Sequence, residues 1–496
     1  MASCYYPDIF SWVQKLPPVS QWKENSMSIC ICSSASSQPS LNLSVIKNPF
    51  SPTISFSIVA YFNLPISLWT SKPINTNRKS FKLLDNETVS SLLINLVEDV
   101  LSYCSNKCKS SIQVPKLLDS VSNIMDIFNL VFFTLSFLIC IYEAPADLRS
   151  KWLDNLKTQL TNSQLREALK LFMKTIGSNL EEQWMRSVNL AITNWIPELQ
   201  ATNTTLKTPS PLFSYSLSTF ELWKVQLYCP IISMDIESSS NSSADERLLF
   251  SLKHHQLEGV IQFNYKVIIQ EEWVDVIVVI DNIRCDIVRL VNDTLMKEQG
   301  VGIEEKHFPS RISLHLTPIL QTNIISVSVS KSSDNPTTEI EVGKSIETSF
   351  DPPNSFLGLK LAVGETISTS LKPWKFEESV HGYSSILNWF LHDSMDGREV
   401  SSSKPSKMAL INPKAWFKHR YSNAHRPFNR QGGVVFAKDE YGNGIRWKVD
   451  KSSMGKTMEW EIKGFIWLTY WPNNYITFHS ETRRLEFREI LHLTIA

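Results

Sequence analysis

The spacing of apolar residues changes twice along the chain. Near the N-terminus it repeats every two residues. In "SLNLSVIK" Leu41, Leu43 and Val45 alternate with Asn42, Ser44 and Ile46, and in "TISFSIVAY" Ile54, Phe56, Ile58 and Ala60 share one side. Successive side chains of a strand point to opposite faces, so this β-branched alternation predicts strands within 25–84, behind a loose leader at 1–24. From Asp85 the period lengthens. Leu92, Leu93, Leu96, Val97, Val100 and Leu101 recur at helical spacing after an Asp85 or Asn86 cap. "PADLRSKWLDNLKTQL", "NSQLREALKLFMKTIG" and "NLEEQWMRSVNLAITNWI" continue the pattern, with Pro145 placed to start a helix and Gly177 to end one. The prediction is a helical block over 85–200. A Thr/Pro/Ser-rich linker follows at 201–214, and from 215 to 496 the two-residue period returns.

Within this last region "EEWVDVIVVIDNIRCDIVRL" is apolar on both sides through its middle, as a central strand is, and Asp281 with Asn282 reads as a turn at its end. "RQGGVVFAKDEYGNGIRWKVDK" reads as a hairpin, with Val434 and Phe436 leading into Tyr441–Gly444 and Ile445, Trp447 and Val449 returning. In "TMEWEIKGFIWLTYW" Met458, Trp460 and Ile462 oppose Glu459, Glu461 and Lys463, and Gly464 resets the alternation as a bulge does. "RRLEFREILHLTIA" alternates Leu485, Phe487, Leu491, Leu493 and Ile495 with Glu486, Arg488 and His492. Glu481, Glu486 and Glu489 with Arg483, Arg484 and Arg488 read as a solvated face of cross-strand charge pairs. The expected fold class is α+β: an antiparallel β-sandwich-like domain with a helical block inserted or packed beside it. The strands of 25–84 are candidates to complete the sheets of the sandwich.

One run breaks the amphipathic pattern. "NLVFFTLSFLICIY", Asn129–Tyr142, carries no charge. A membrane span needs about 20 apolar residues. The uninterrupted segment from Ile127 to Tyr142 is shorter and lies between Asp126 and Glu143, with no Lys or Arg beside it. The length favours a buried core helix over an anchor at 127–142. A further alternative is that 129–142 is intron read as exon, because Phe, Leu, Ser, Ile and Cys are what a pyrimidine-rich splice-acceptor stretch encodes.

Composition narrows the chemistry. The chain has 496 residues, 49 Lys plus Arg and 49 Asp plus Glu, so its formal net charge is zero. Dedicated nucleic-acid binders need a positive excess, and none is expected here. The 15 glycines form no GxGxxG and no GxxxxGK[ST]. The eight cysteines show no CxxC, which points to free thiols in a reducing compartment. His254 and His255 are adjacent and point to opposite faces of a strand, and no HExxH or HxH occurs, so neither a metal nor a cofactor is expected. The opening "MASCYYPDIFSW" has no secretory n-region and h-region, so an intracellular, cytoplasmic setting is expected. The acid-poor, serine-rich first 84 residues offer a plastid alternative, and 127–142 a membrane-anchored one.

Three C-terminal strings, "HGYSSILNWFLHDSMDGREV", "WFKHRYSNAHRPFNRQGGVVFA" and "MEWEIKGFIWLTYWPN", resemble blocks of a plant protein family of uncharacterised function. The resemblance covers the last quarter of the chain. It implies a plant source and says nothing about chemistry.

The candidate site is the acid-free stretch Asn412–Gly433. Lys418, His419, Arg420, His425, Arg426 and Arg430 interleave there with Trp416, Phe417, Tyr421 and Phe428. Guanidinium groups beside aromatic planes suit anionic ligands. No GxSxG or nucleophile context appears. The primary expectation is a non-enzymatic binding or scaffolding protein that meets a protein or anionic ligand through its aromatic-rich C-terminal β domain. The alternative is an enzyme acting on an anionic substrate through 412–433.

Overall fold

The computed structural model describes residues 7–33, 40–61, 64–75, 86–104, 121–145, 149, 152, 163–202, 212–237, 249–291, 307–329, 338–344, 365–371, 374–392, 432–437, 444–470 and 481–495. Its apolar side chains gather into two separate cores.

The first core holds α1 (Ile9–Lys15), the strands β1 (Ser26–Ser33), β2 (Ser40–Lys47), β3 (Thr53–Tyr61), β4 (Pro65–Thr70) and β5 (Ile74–Asn75), and four further helices. These are α2 (Asn86–Ser102), α3 (Val121–Tyr142), α4 (Ser163–Ile176) and α5 (Ser178–Thr202). The strands form an antiparallel meander in the order β1-β2-β3-β4, with β5 on β3. Leu41, Leu43, Val45, Ile54, Phe56 and Ile58 are buried as their alternation predicts. These strands pair with one another and pack against the helices. None of their ladders reaches the strands of the sandwich.

Helix α3 is the axis of this unit, with α1, α2, α4 and α5 packed on it. Between Ile127 and Ile141 every residue except Asn129 is buried. Phe128 meets Phe10 and Phe132 edge to face or tilted, at 5.4 and 5.0 Å, and Phe132 meets Phe56 at 5.9 Å. The polar members are satisfied. Thr134 and Ser136 donate to the carbonyls of Leu130 and Phe132, and Asn129 accepts from the Phe10 amide while donating to Asp8. Ile124–Tyr142 is long and apolar enough to cross a membrane by length and composition, and 78% of that window is buried inside the protein. Between α4 and α5 the turn is made by Gly177 at φ +81°, a left-handed conformation that favours glycine.

The second core lies between two sheets. The seven-stranded sheet holds β6 (Phe213–Thr219), β7 (Leu222–Glu237), β8 (Leu249–Ile269), β9 (Trp273–Arg289), β11 (Ile324–Val329), β16 (Gly432–Ala437) and β17 (Ile445–Asp450). The five-stranded sheet holds β10 (His307–Pro318), β14 (Trp374–His381), β15 (Ser384–Leu391), β18 (Thr457–Tyr470) and β19 (Glu481–Thr494), in the order β14-β15-β10-β18-β19. β12 (Thr338–Lys344) and β13 (Glu365–Leu371) form a separate pair. Every pairing is antiparallel, so the fold is the expected α+β class with a sandwich and a helical block. Tryptophans fill the space between the sheets. Trp223, Trp447 and Trp460 have rings 5.5 to 6.0 Å apart, and the first two donate their indole N–H to the carbonyls of His492 and Tyr383.

Three local expectations fail. β16 and β17 are not a hairpin: both pair with β9, at Asn282–Asp286 and at Trp273–Val278, so they run end to end along one edge of it. Residues 438–443 between them lie outside the described residues. Asp281 is not in a turn, because β9 continues through it. It sits where the β8–β9 register shifts, and it accepts a hydrogen bond from Asn264 at 3.0 Å. Gly464 is not a bulge: the ladders to β10 and β19 run through it unbroken. A Cβ there would stand 2.0 Å from the Phe487 ring, so the glycine vacates an inward position that the phenylalanine fills.

Candidate functional site

The predicted site residues Lys418, His419, Arg420, His425, Arg426 and Arg430 lie outside the described residues. The chain that carries them leaves β15 just after Phe390 and re-enters at β16. Phe390 belongs to another group of basic and aromatic side chains, which the fold assembles on the outer face of the five-stranded sheet.

A bulge sets up that face. The β10–β18 register shifts between Pro309 and Arg311, and beyond it Ile312, Leu314 and Leu316 point inward while Arg311, Ser313 and His315 point outward. The pairings then place Lys375, Phe390, Arg311, Trp467 and Arg484 in one row across all five strands. At about 4.8 Å per strand the row is about 19 Å long. Cation and aromatic alternate along it. The Arg311 guanidinium lies 4.7 Å from the Phe390 centroid and 4.5 Å from that of Trp467. Phe465, on the next row, meets Trp467 at 6.0 Å, Arg484 at 5.3 Å and Lys463 at 5.2 Å. Stacking of this kind contributes roughly 0.5–1 kcal/mol per contact at exposed sites and holds the guanidinium in one orientation.

The charges on the face are not evenly compensated. Lys463 pairs with Glu486 at 3.1 Å, Arg488 with Glu461 at 3.0 Å and Lys375 with Glu377 at 2.6 Å. Arg311 and Arg484 have no ion pair among the described residues, and Arg311 reaches only Asn388, at 3.5 Å. Arg311 thus lies between the buried Phe390 ring and the half-buried Trp467 ring, and Arg484 is exposed beside Phe465.

The opposite sheet carries a second polar constellation, where α5 lies across β6, β7 and β8. Glu181 accepts from the hydroxyls of Tyr215 and Tyr228 at 2.7 and 2.8 Å. Arg186 donates to both oxygens of Glu258, at 2.8 and 3.1 Å, and Asn189 donates to Gln256 at 2.6 Å. Beside them Lys170 of α4 and Ser214 of β6 meet Glu489 of β19. Burial raises the pKa of Glu181, which its tyrosine hydrogen bonds partly offset, and it raises both tyrosines. The hydrogen bond to Glu258 raises Arg186 further above its ordinary value. This network fastens the helical unit to the sandwich. Glu489 is therefore not on a solvated face, because its side chain is 3% exposed.

Burial also pushes Glu378 on β14 up to about 7, and its buried Oε2 has no described hydrogen-bond partner. General acid–base work needs a second group within reach of a lone carboxyl. Among the described residues no three His, Cys, Asp or Glu side chains converge as a metal requires.

The sequence reading missed Arg311 and Trp467. The signal was present as parity: "RISLHL" and "GFIWLT" put a cation and aromatics on the side of each strand that faces away from the core.

No protein-family model matches the chain, and no curated protein does. Among solved structures, Clostridium perfringens delta-toxin matches 56% of this chain over 100% of its own, at 10% identity and a TM-score of 0.21. A pore forming protein matches 56% over 99%, at 12% identity and a TM-score of 0.17. The Clostridium perfringens NetB toxin in its membrane inserted form matches 57% over 100%, at 9% identity and a TM-score of 0.17. These likenesses are too slight to bear on fold or function.

Proposed function

We propose that this protein is a non-enzymatic binding protein, and that the outer face of its five-stranded sheet engages an acidic segment of a partner protein. The observation that carries this reading is Arg311, stacked between Phe390 and Trp467 with no carboxylate paired to it among the described residues. Oriented guanidinium groups beside aromatics dominate many protein interfaces, and a carboxylate satisfies such a fork bidentately. The interspersed glutamates Glu377, Glu461 and Glu486 favour a protein partner over a polyphosphate, which they would repel. Five of the nine tryptophans of the β domain take no part, since Trp223, Trp374, Trp389, Trp447 and Trp460 are buried in the core. Helix α3 belongs to this reading as a core helix and not as an anchor, supported by its satisfied polar groups and its neighbours on all sides.

The test uses Trp467→Ala with Arg484→Glu, both changes on the outer face. Binding of an immobilised Glu-rich peptide carrying aromatic residues should fall at least tenfold, and wild-type binding should weaken steeply with salt. The variant should melt only a few degrees lower, as the loss of these stacking contacts requires, and still unfold cooperatively. Equal binding by the variant, or tighter binding of a single-stranded oligonucleotide than of the peptide, would remove the proposal.

A further inference from the structure

We propose that a cavity in the helical unit is a binding site for a small amphipathic organic anion, a ring or short chain that ends in a carboxylate. The cavity measures about 200 Å³ and lies between α3, α4, α5 and the start of β6. Its wall is mainly apolar and includes Phe133, Phe137, Trp184, Met185, Ile192 and Phe213. Protein interiors are packed to near-crystalline density, and a void of this size is uncommon in them. It is about a third larger than the roughly 150 Å³ apolar cavity that accepts benzene. A six-membered ring with a short arm fits such a volume.

The polar groups on the wall decide the other end of the molecule. Thr134 spends its hydroxyl hydrogen on the Leu130 carbonyl, and Asn189 spends an amide hydrogen on Gln256. Both therefore serve the fold first. Arg166 is different: it is exposed on α4 and makes no ion pair among the described residues. It stands where the cavity opens to solvent, so an apolar body inside places an anionic end against its guanidinium. Asn189 and Phe213 also belong to the junction of α5 with the sandwich, so an occupant braces that junction from within.

The experiment is calorimetric titration of the full chain with 3-phenylpropionate and with the neutral 3-phenylpropan-1-ol at low salt. Wild type is expected to bind the acid about tenfold more tightly than the alcohol. Arg166→Gln, at an exposed position, should bring the acid down to the level of the alcohol and leave the alcohol unchanged. Val188→Phe fills the cavity and should abolish both heats without lowering the melting temperature. Leu169→Phe does the same from α4 and replaces it if Val188→Phe does not fold. No saturable heat with either compound on wild type overturns the site. So does a folded filled variant that binds like wild type. An acid preference that survives Arg166→Gln overturns the assigned orientation and with it the anionic class of ligand.

Discussion

His307 opens β10 at the end of the sandwich where His255 and Arg483 also stand. Burial holds its pKa down to about 3, and the two neighbouring cationic groups add to the shift. In the unfolded chain the same ring takes a proton near 6.5. Between these values only the unfolded state binds the proton, so stability is lost as pH falls from 6.5, by at most ~1.4 kcal/mol per pH unit. His307→Gln removes that term. The melting temperature of wild type should therefore drop more between pH 7 and pH 5 than that of the variant, and parallel melts would show that the ring is protonated freely in the folded state. The ring was illegible in the sequence for a physical reason. A histidine at a strand start reads as solvated, and the groups that act on it, His255 on β8 and Arg483 on β19, are far away in sequence. Glu489 reads as solvated and is buried, although the pattern holds a signal. The alternation of β19 skips from Phe487 to Leu491, and that gap marks an inward glutamate whose partners are Lys170 and Ser214.

Patterns of two and 3.6 residues located the strands of 25–84, the helices from α2 to α5 and the strands β9 and β16 to β19, because each records one face turned to a core, but α1 fell in the expected loose leader and the start of β6 in the expected linker. What they do not record is the neighbour. The hairpin expected around Tyr441–Gly444 had the right strands and the wrong partner, since both strands pair with β9 and not with each other. The break expected at Gly464 failed because glycine also serves to admit another side chain. Gly464 lies opposite Phe487, and the phenylalanine ring occupies the space of the missing side chain. Gly464→Ala should therefore cost about 1–3 kcal/mol, the usual range for forcing extra volume into a packed core. Pairing it with Phe487→Leu should recover part of that loss, because residues in contact are not additive. Chemical denaturation of the two single variants and the double variant measures this. If Gly464→Ala is neutral, the ring moves aside without cost and the packing explanation is wrong. Helix α3 shows the same limit of local pattern. Its apolar run is equally suited to lipid or to protein, and only the side chains around it, such as Phe10 and Phe56, distinguish the two settings. Deleting 129–142 would take ten buried apolar side chains, from Leu130 to Ile141, out of the helical core.

At the scale of the molecule, two apolar cores meet across a polar seam. Glu181 with Tyr215 and Tyr228, Arg186 with Glu258, and Lys170 with Glu489 join residues 34 to 319 positions apart, so no local pattern could announce them. The candidate binding row was hidden by the same distance, since Arg311, Phe390 and Trp467 are brought together only by strand order. The seam joins the helical unit to the sandwich beside apolar contacts from Phe213, Tyr215, Leu217 and Tyr228. Arg186 makes its bidentate ion pair, and the Glu258 side chain it holds is 11% exposed. Arg186→Ala strands that carboxylate and should cost about 3 kcal/mol, whereas Arg186→Ala with Glu258→Ala removes both charges and should cost less than the single change. Each unit keeps its own core in both variants. The loss should therefore appear as separation of one unfolding transition into two, and limited proteolysis should release a stable fragment beginning near Leu212. A single transition in Arg186→Ala, with no such fragment, would mean that apolar contact across the junction couples the units and that the seam only lines it.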